Sequence, residues 1–496
     1  MTRLSRRSVA ALFVGVALVL GAAPASAHRA IPSQEEPEPA ASIDLVARSA
    51  WIGEDRPLTL DVALSGDTAD TTMRVRIHPP LGSSADLDTS LDADVGGITR
   101  TIDLGPTDEM PVDADGTRRI EITGDDIRLP GIHPVVVELR SAGEVVGLIR
   151  TPVIRLGSQD DPLPAPTLSL VVDVAVPPTL EPEGRRALTG AELDRLNRLA
   201  GFLDDLRALD EPPPVTLVVV PDTIDALTAS TDQRAADVID ALRAAVALDS
   251  TTTVAHPYVP VSAAALVDAD LGDVVDVISD TGSQVLADRL GAGPAAALWP
   301  DADVIPEAAA VLVGRGVRAV LTGSRTAADV GAEPPGDERG PLTPAGPRPV
   351  GALSESGIDA VVADDDLGTE LMAPIGDRVD DPVVAVADLL LRDGGRGSDV
   401  VVRLDDAPAG SLVHALVPLL ADPSSPVPTS RVPTGEPTPD ADGEPPGPVT
   451  LPTGSADDLA PIADRYRDVA AGLGTFTSFV DTGSATAATL RLQLLT

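Results

Sequence analysis

Cysteine and lysine are both missing from the 496 residues, and Phe, Trp and Tyr together make up only 2%. Each absence removes chemistry. Without thiols there is no disulfide framework, thiolate metal site, cysteine nucleophile or lipobox anchor. Without lysine there is no Schiff base, no pyridoxal attachment and no phosphate-loop ammonium, so every basic side chain is an arginine. With so few aromatics, cores must be built from Val, Leu, Ile and Ala, and flat platforms for sugar stacking are scarce. The five histidines form no His-x₃₋₅-His pair, so a zinc deacetylase of the usual type lacks its ligands. No G-x-S-x-G elbow exists either; the stretch Gly351-Ala352-Leu353-Ser354-Glu355-Ser356-Gly357 is not one. No metal and no cofactor is expected.

Basic charge is also short. Acids outnumber Lys and Arg by 77 to 36, for a net charge of −41. Such a chain repels phosphate backbones, which argues against nucleic acid as a partner. The acids are scattered and form no calcium loop with a distal Glu.

The N-terminus has the three parts of a secretory signal. Arg3, Arg6 and Arg7 give a basic start, Val9 to Leu20 an apolar stretch, and Ala25-Ser26-Ala27 a small-residue site with cleavage after Ala27. The apolar stretch is shorter than the ~20 residues of a membrane-spanning helix, and no such span follows it. The expected protein is secreted or extracytoplasmic, with 1–27 a signal peptide and 28–41 a disordered leader rich in Glu and Pro.

From Ser42 the pattern alternates every two residues. Leu58-Thr59-Leu60-Asp61-Val62-Ala63-Leu64, Met73-Arg74-Val75-Arg76-Ile77 and Arg119-Ile120-Glu121-Ile122 each present one apolar and one polar face. Over 42–157 this predicts a β-sandwich, immunoglobulin-like only in the broad sense because no Cys…Trp…Cys pattern is present. Residues 158–166 read as a stiff linker. Beyond it, near-continuous apolar runs such as Leu168–Val172, Val215–Val220, Val317–Leu321 and Val400–Val402 alternate with amphipathic stretches such as Ala191–Leu206 and Ala235–Ala247. Strands covered on both faces and separated by helices predict a barrel-like α/β domain over 167–421. A Pro- and Gly-rich insertion at about 331–349 and the segment 422–453, with ten prolines in 422–452, are expected to be disordered. Residues 454–496 read as helical, and the pattern reaches Thr496 without a stop signal, as in a helix that continues.

In such a barrel, chemistry belongs where strands end. The strand-end residues are Asp173, Asp222, His256 with Tyr258, Asp301 with Asp303, and Asp364-Asp365-Asp366, then Asp405-Asp406. Facing carboxylates could serve as acid and base on a glycosidic bond. Asp173 and Asp301 with His256 are the catalytic candidates, and Tyr258, Trp299, Asp222 and Asp303 the substrate-binding ones. An Asp after a strand is equally the ordinary cap for the next helix, and His256 equally a hydrogen-bonded support for its loop.

Ala255-His256-Pro257-Tyr258, Leu298-Trp299-Pro300-Asp301-Ala302-Asp303, Ala308-Ala309-Ala310, Arg315 to Leu321 and Pro130-Gly131-Ile132-His133-Pro134-Val135 resemble motifs of an uncharacterised family of secreted actinobacterial cell-envelope proteins, often encoded beside the peptidoglycan-lipid flippase. The resemblance implies export, a β-sandwich, a glycoside hydrolase- and deacetylase-like barrel, and a carboxy-terminal membrane helix. This sequence departs at the last point, so membrane association would require a further C-terminal segment. The resemblance brings no catalytic assignment for His256 or Asp301. The resulting expectation is a non-catalytic binding or scaffolding protein with a cell-wall glycan or an envelope membrane protein as partner. The alternatives are a glycan-active hydrolase and a structural, adhesin-like protein.

Overall fold

The computed structural model describes residues 41–471 apart from 54–55, 94–95, 159–162, 177–178, 181–185, 296, 302–303, 330–341, 345–346, 351–355, 374–381, 406–410, 435–448, 452–458 and 460–462. The signal peptide with Ala27, the leader up to Ala40, the C-terminal residues after 471 and Asp303 therefore lie outside the described residues.

The alternating N-terminal runs form β1 (Ser42–Arg48), β2 (Trp51–Ile52), β3 (Leu58–Ser65), β4 (Thr71–Ile77), β5 (Arg100–Pro106), β6 (Arg118–Ile122), β7 (Gly131–Ser141) and β8 (Glu144–Arg155). They make a three-stranded sheet, β1-β3-β6, and a five-stranded one, β2-β8-β7-β4-β5. Ile43, Leu58, Leu60, Val62, Ile120 and Ile122 of the first sheet share one cluster with Met73, Val75, Ile77, Val135, Val137 and Leu139 of the second. The two-residue period thus puts every second side chain into the space between sheets. Between β4 and β5 a helix, α1 (Ser84–Asp92), starts at Ser83, whose side chain accepts from the Asp86 amide. The Ser-x-x-Asp spacing was the available sign of this helix, which the strand pattern had concealed.

The second half begins with β9 (Thr167–Val174) and a short hairpin, β10 (Thr179–Leu180) and β11 (Arg186–Ala187). Strand and helix then alternate: α2 (Gly190–Arg207), β12 (Val215–Val219), α3 (Pro221–Ala229), α4 (Gln233–Val246), β13 (Thr251–Ala255), α5 (Ala263–Asp268), α6 (Gly272–Leu290), β14 (Leu298–Trp299) and α7 (Pro306–Gly314). Next come β15 (Ala319–Gly323), β16 (Ala328–Asp329), β17 (Arg348–Pro349), β18 (Asp359–Ala363), α8 (Asp365–Leu371), α9 (Pro382–Asp393), β19 (Asp399–Leu404), α10 (Leu412–Leu420) and β20 (Val449–Thr450). The parallel strands run β13-β12-β9-β19-β18-β15-β14. The two end strands meet where the Ala295 amide donates to the Thr253 carbonyl at 2.8 Å, giving a nearly closed, seven-stranded barrel in chain order. Val171, Val218, Val254, Leu298, Leu321, Val361 and Val401, one from each strand, fill the lumen together.

Two Pro-rich stretches expected to be disordered are partly built into this body. β17 pairs antiparallel with β18, on an edge that β19 reaches only through Ala363 and Val401. Proline is tolerated there because a two-residue edge strand leaves few ladder donors to lose. In the second stretch, Leu168 donates to Pro428 O at 2.8 Å and accepts from the Ser430 amide at 3.0 Å. Val432 enters the lumen cluster from below. β12 joins β9 only from Leu170 onward, so the backbone groups of Leu168 were left for this segment to satisfy.

The sandwich and barrel share apolar surface. Trp51, Leu87, Ile132 and Ile154 belong to the same cluster as Leu389 and Leu390 of α9. The Trp51 indole donates to Ser424 Oγ at 3.0 Å, and Arg56 pairs with Asp422 at 3.3 Å. Trp51 is 1% exposed. Trp51→Ala is expected to cost about 3–5 kcal/mol, measured by chemical unfolding.

Candidate functional site

Period-two continuation from the lumen residues places Asp173, His256 and Arg403 above Val171, Val254 and Val401, at the C-terminal mouth. Asp173 Oδ2 accepts from Arg403 Nε at 2.5 Å. The two residues sit on paired strands, with Arg403 opposite Val171 and Leu404 opposite Val172. The second carboxylate oxygen of Asp173 is buried and has no hydrogen-bond partner among the described residues. Asp405 lies 3.9 Å from the same guanidinium, and Asp365 acts on it through its charge.

Two glycines bring the surrounding elements this close. A Cβ at Gly323 would fall 2.3–2.7 Å from the Asp365 carboxylate, and one at Gly368 would fall 2.5 Å from the Arg403 carbonyl. Glycine at the end of β15 therefore leaves room for Asp365, which accepts from the Arg325 amide at 2.9 Å. Glycine within α8 lets that helix lie on β19.

Burial pushes the Asp173 carboxyl up to about 6, with Arg403 opposing and Asp405 reinforcing the shift. Burial, with the Arg403 charge second, pulls the His256 ring down to about 4. At neutral pH the mouth therefore holds an ionised Asp173, a charged Arg403 and a neutral His256.

Of the residues selected from sequence, the fold gathers Asp173 and His256 around Arg403. Asp301 is half-buried just after β14. Asp222 is fully buried in the first turn of α3, where its amide donates to Tyr258 O at 3.1 Å. A carboxylate at that position complements the helix N-terminus. Tyr258 and Trp299 are 5% and 4% exposed and pack in the cluster beneath α5, α6 and α7; the Tyr258 hydroxyl donates to Asp225 at 3.1 Å. Neither ring offers an open stacking face. Asp364 caps α8 by accepting from Leu367 N at 2.9 Å. Arg403 was missed by a search for strand-end acids. Its only signal was being the inward successor of Val401. Among the described residues, no group of three or more potential ligands could hold a metal ion.

No known family profile matches the chain, and no curated protein does. Among solved structures it is similar to the 4-alpha-glucanotransferase from Thermococcus litoralis, with 13% identity, 63% of this chain and 46% of that one covered, and a TM-score of 0.39. It is also similar to a GH57 branching enzyme from Thermococcus kodakaraensis, at 12%, 56%, 74% and 0.38. For the alpha-amylase AmyC from Thermotoga maritima the figures are 9%, 64%, 83% and 0.38. The chain spans less than half the length of the first. TM-scores this low do not establish a common fold, and the barrel stands on its own strand pairing.

The two shifted groups act on stability with opposite signs. Between 3.8 and about 6, folded Asp173 keeps a proton that the unfolded chain has released, so its contribution falls as pH rises. Between about 4 and 6.5, unfolded His256 holds a proton that the folded ring refuses, so its contribution rises. Relative to wild type, Asp173→Asn should gain stability as pH climbs from 4 to 6 and His256→Asn should lose it, read from denaturant midpoints. Arg403→Met strands a buried carboxylate and should cost about 3–5 kcal/mol at pH 8. The loss should be smaller at pH 5, where Asp173 can take a proton.

Proposed function

We propose that this is an exported, envelope-facing protein whose barrel mouth binds a cell-wall glycan or an envelope membrane protein without cleaving it. One observation carries the reading: Asp173, the best-placed acid, has one oxygen committed to Arg403 at 2.5 Å. A carboxylate tied to a permanent cation is a poor proton donor and a good fixed hydrogen-bond acceptor. In this reading His256 supplies a neutral second polar group, and Asp301, just after β14, belongs to the rim; Asp303 would be a further binding acid. Asp222, Tyr258 and Trp299 support the loops from within. The sandwich, immunoglobulin-like in the broad sense, docks the barrel to its surroundings. The net charge of −41 disfavours nucleic acid as a partner. Export rests on the leader sequence. Among the described residues no helix is long and apolar enough to cross a membrane.

A hydrolase is the second reading, favoured by the raised Asp173 carboxyl at about 6, near where a general acid works. In that case Asp173 and Asp301 would be the pair acting on the glycosidic bond, with His256 in support.

The deciding experiment incubates the purified chain with cell-wall glycans, following retention and reducing-end release together. Retention without release is expected, weakened at least about tenfold by Asp173→Asn if that carboxylate accepts a ligand hydrogen bond. Release of new reducing ends that disappears in Asp173→Asn and Asp301→Ala would establish the hydrolase instead.

A further inference from the structure

The barrel mouth carries more negative than positive charge. Around the Arg403 guanidinium stand three carboxylates, those of Asp173, Asp365 and Asp405. Asp173 binds it through Oδ2 at 2.5 Å, and Asp405 lies 3.9 Å away. A second cation, Arg195 of α2, reaches the same rim, where it donates to the Asp405 carbonyl. Arg325 is taken by Asp366 at 2.7 Å. His256 is neutral, because burial and then the Arg403 charge hold it so. Three acids thus face two cations, and one negative charge has no counterpart among the described residues.

Two side chains fix where that excess lies. The Oδ1 of Asp173 is buried and has no hydrogen-bond partner among the described residues. Asp405 acts on the Asp173 carboxyl both as a hydrogen-bonding neighbour and as a charge. Ionised carboxylates only accept, so two of them can be joined only through a donor lying between them. The Asp173 side chain is 8% exposed and that of Asp405 is 70% exposed, so the pair leads from the open rim into the barrel. A proton fills the gap in acid. Near neutrality a primary ammonium fits it, with one positive charge and three donors on a single atom. An acetylated amine has lost the charge and keeps one donor. A hydroxyl donates once and balances no charge.

We propose that the Asp173–Asp405 pair selects a glycan carrying a free primary amine, the ammonium bridging the two carboxylates while Arg403 holds Asp173 in place. Given a glycan-binding mouth, on which this rests, the preferred ligands are amino sugars whose nitrogen is not acylated. The acidic surface that repels phosphate backbones favours such a ligand.

Titration calorimetry on the full chain compares a glucosamine disaccharide with its N-acetylated counterpart. A pH of about 6.5 keeps amines protonated, and about 0.15 M salt screens the general pull of the acidic surface. The free amine should bind at least about tenfold tighter, as a hydrogen bond to a charged group allows. Asp405→Asn and Asp173→Asn should each abolish that preference. Asp44→Asn, at an exposed acid of the sandwich, should keep it. Asp405 is exposed, so its variant decides even where Asp173→Asn fails to fold. Equal binding of the two sugars overturns the amine preference and leaves the glycan reading standing; binding of neither removes both. An equal loss in Asp44→Asn assigns the effect to overall charge and overturns the proposal as well.

Discussion

A carboxylate and a guanidinium 2.5 Å apart, on two neighbouring strands, set the chemistry of everything above the barrel's aliphatic lumen. Seven parallel strands bring seven apolar side chains to one axis, and this core excludes water. A charge at its upper edge is tolerable only when paired, so Asp173 and Arg403 each require the other. Around that pair, burial and then the Arg403 charge keep His256 neutral, Gly323 admits Asp365, and Gly368 lets α8 lie on β19.

The lower end is arranged differently. No charge is needed there, and the chain closes the opening with its own backbone through Leu168, Pro428 and Ser430, and with Val432. The same passage carries Asp422 and Ser424 to the sandwich, where they meet Arg56 and Trp51. A stretch whose composition suggests disorder thus joins three parts of the molecule. Proline does not prevent this, because the segment contributes isolated backbone contacts instead of a continuous ladder.

Much of the element order was legible in sequence, since burial imposes its own periods: two residues for the sandwich strands, continuous apolar runs for the barrel strands. Less of the site could be read. Strand-end acids are common because they cap helices, as Asp364 does, and a list of them cannot distinguish the cap from the acid that faces the mouth. Arg403 went unnoticed because an arginine closing an apolar run resembles any solvated end. Tyr258 and Trp299 looked like binding aromatics for their rarity, yet both rings are buried beneath α5, α6 and α7.

What the sequence determined alone was the set of chemistries excluded by missing Cys and Lys, and two kinds of β structure in succession. All are local or compositional properties, and they need no knowledge of what touches what. Only the tertiary structure decided which strand pairs with which. That pairing selected the acid that meets Arg403 and the proline-rich segment that meets Leu168. Each of these contacts joins residues distant in the chain, and the period of a strand gives the direction of a side chain but not what it will meet.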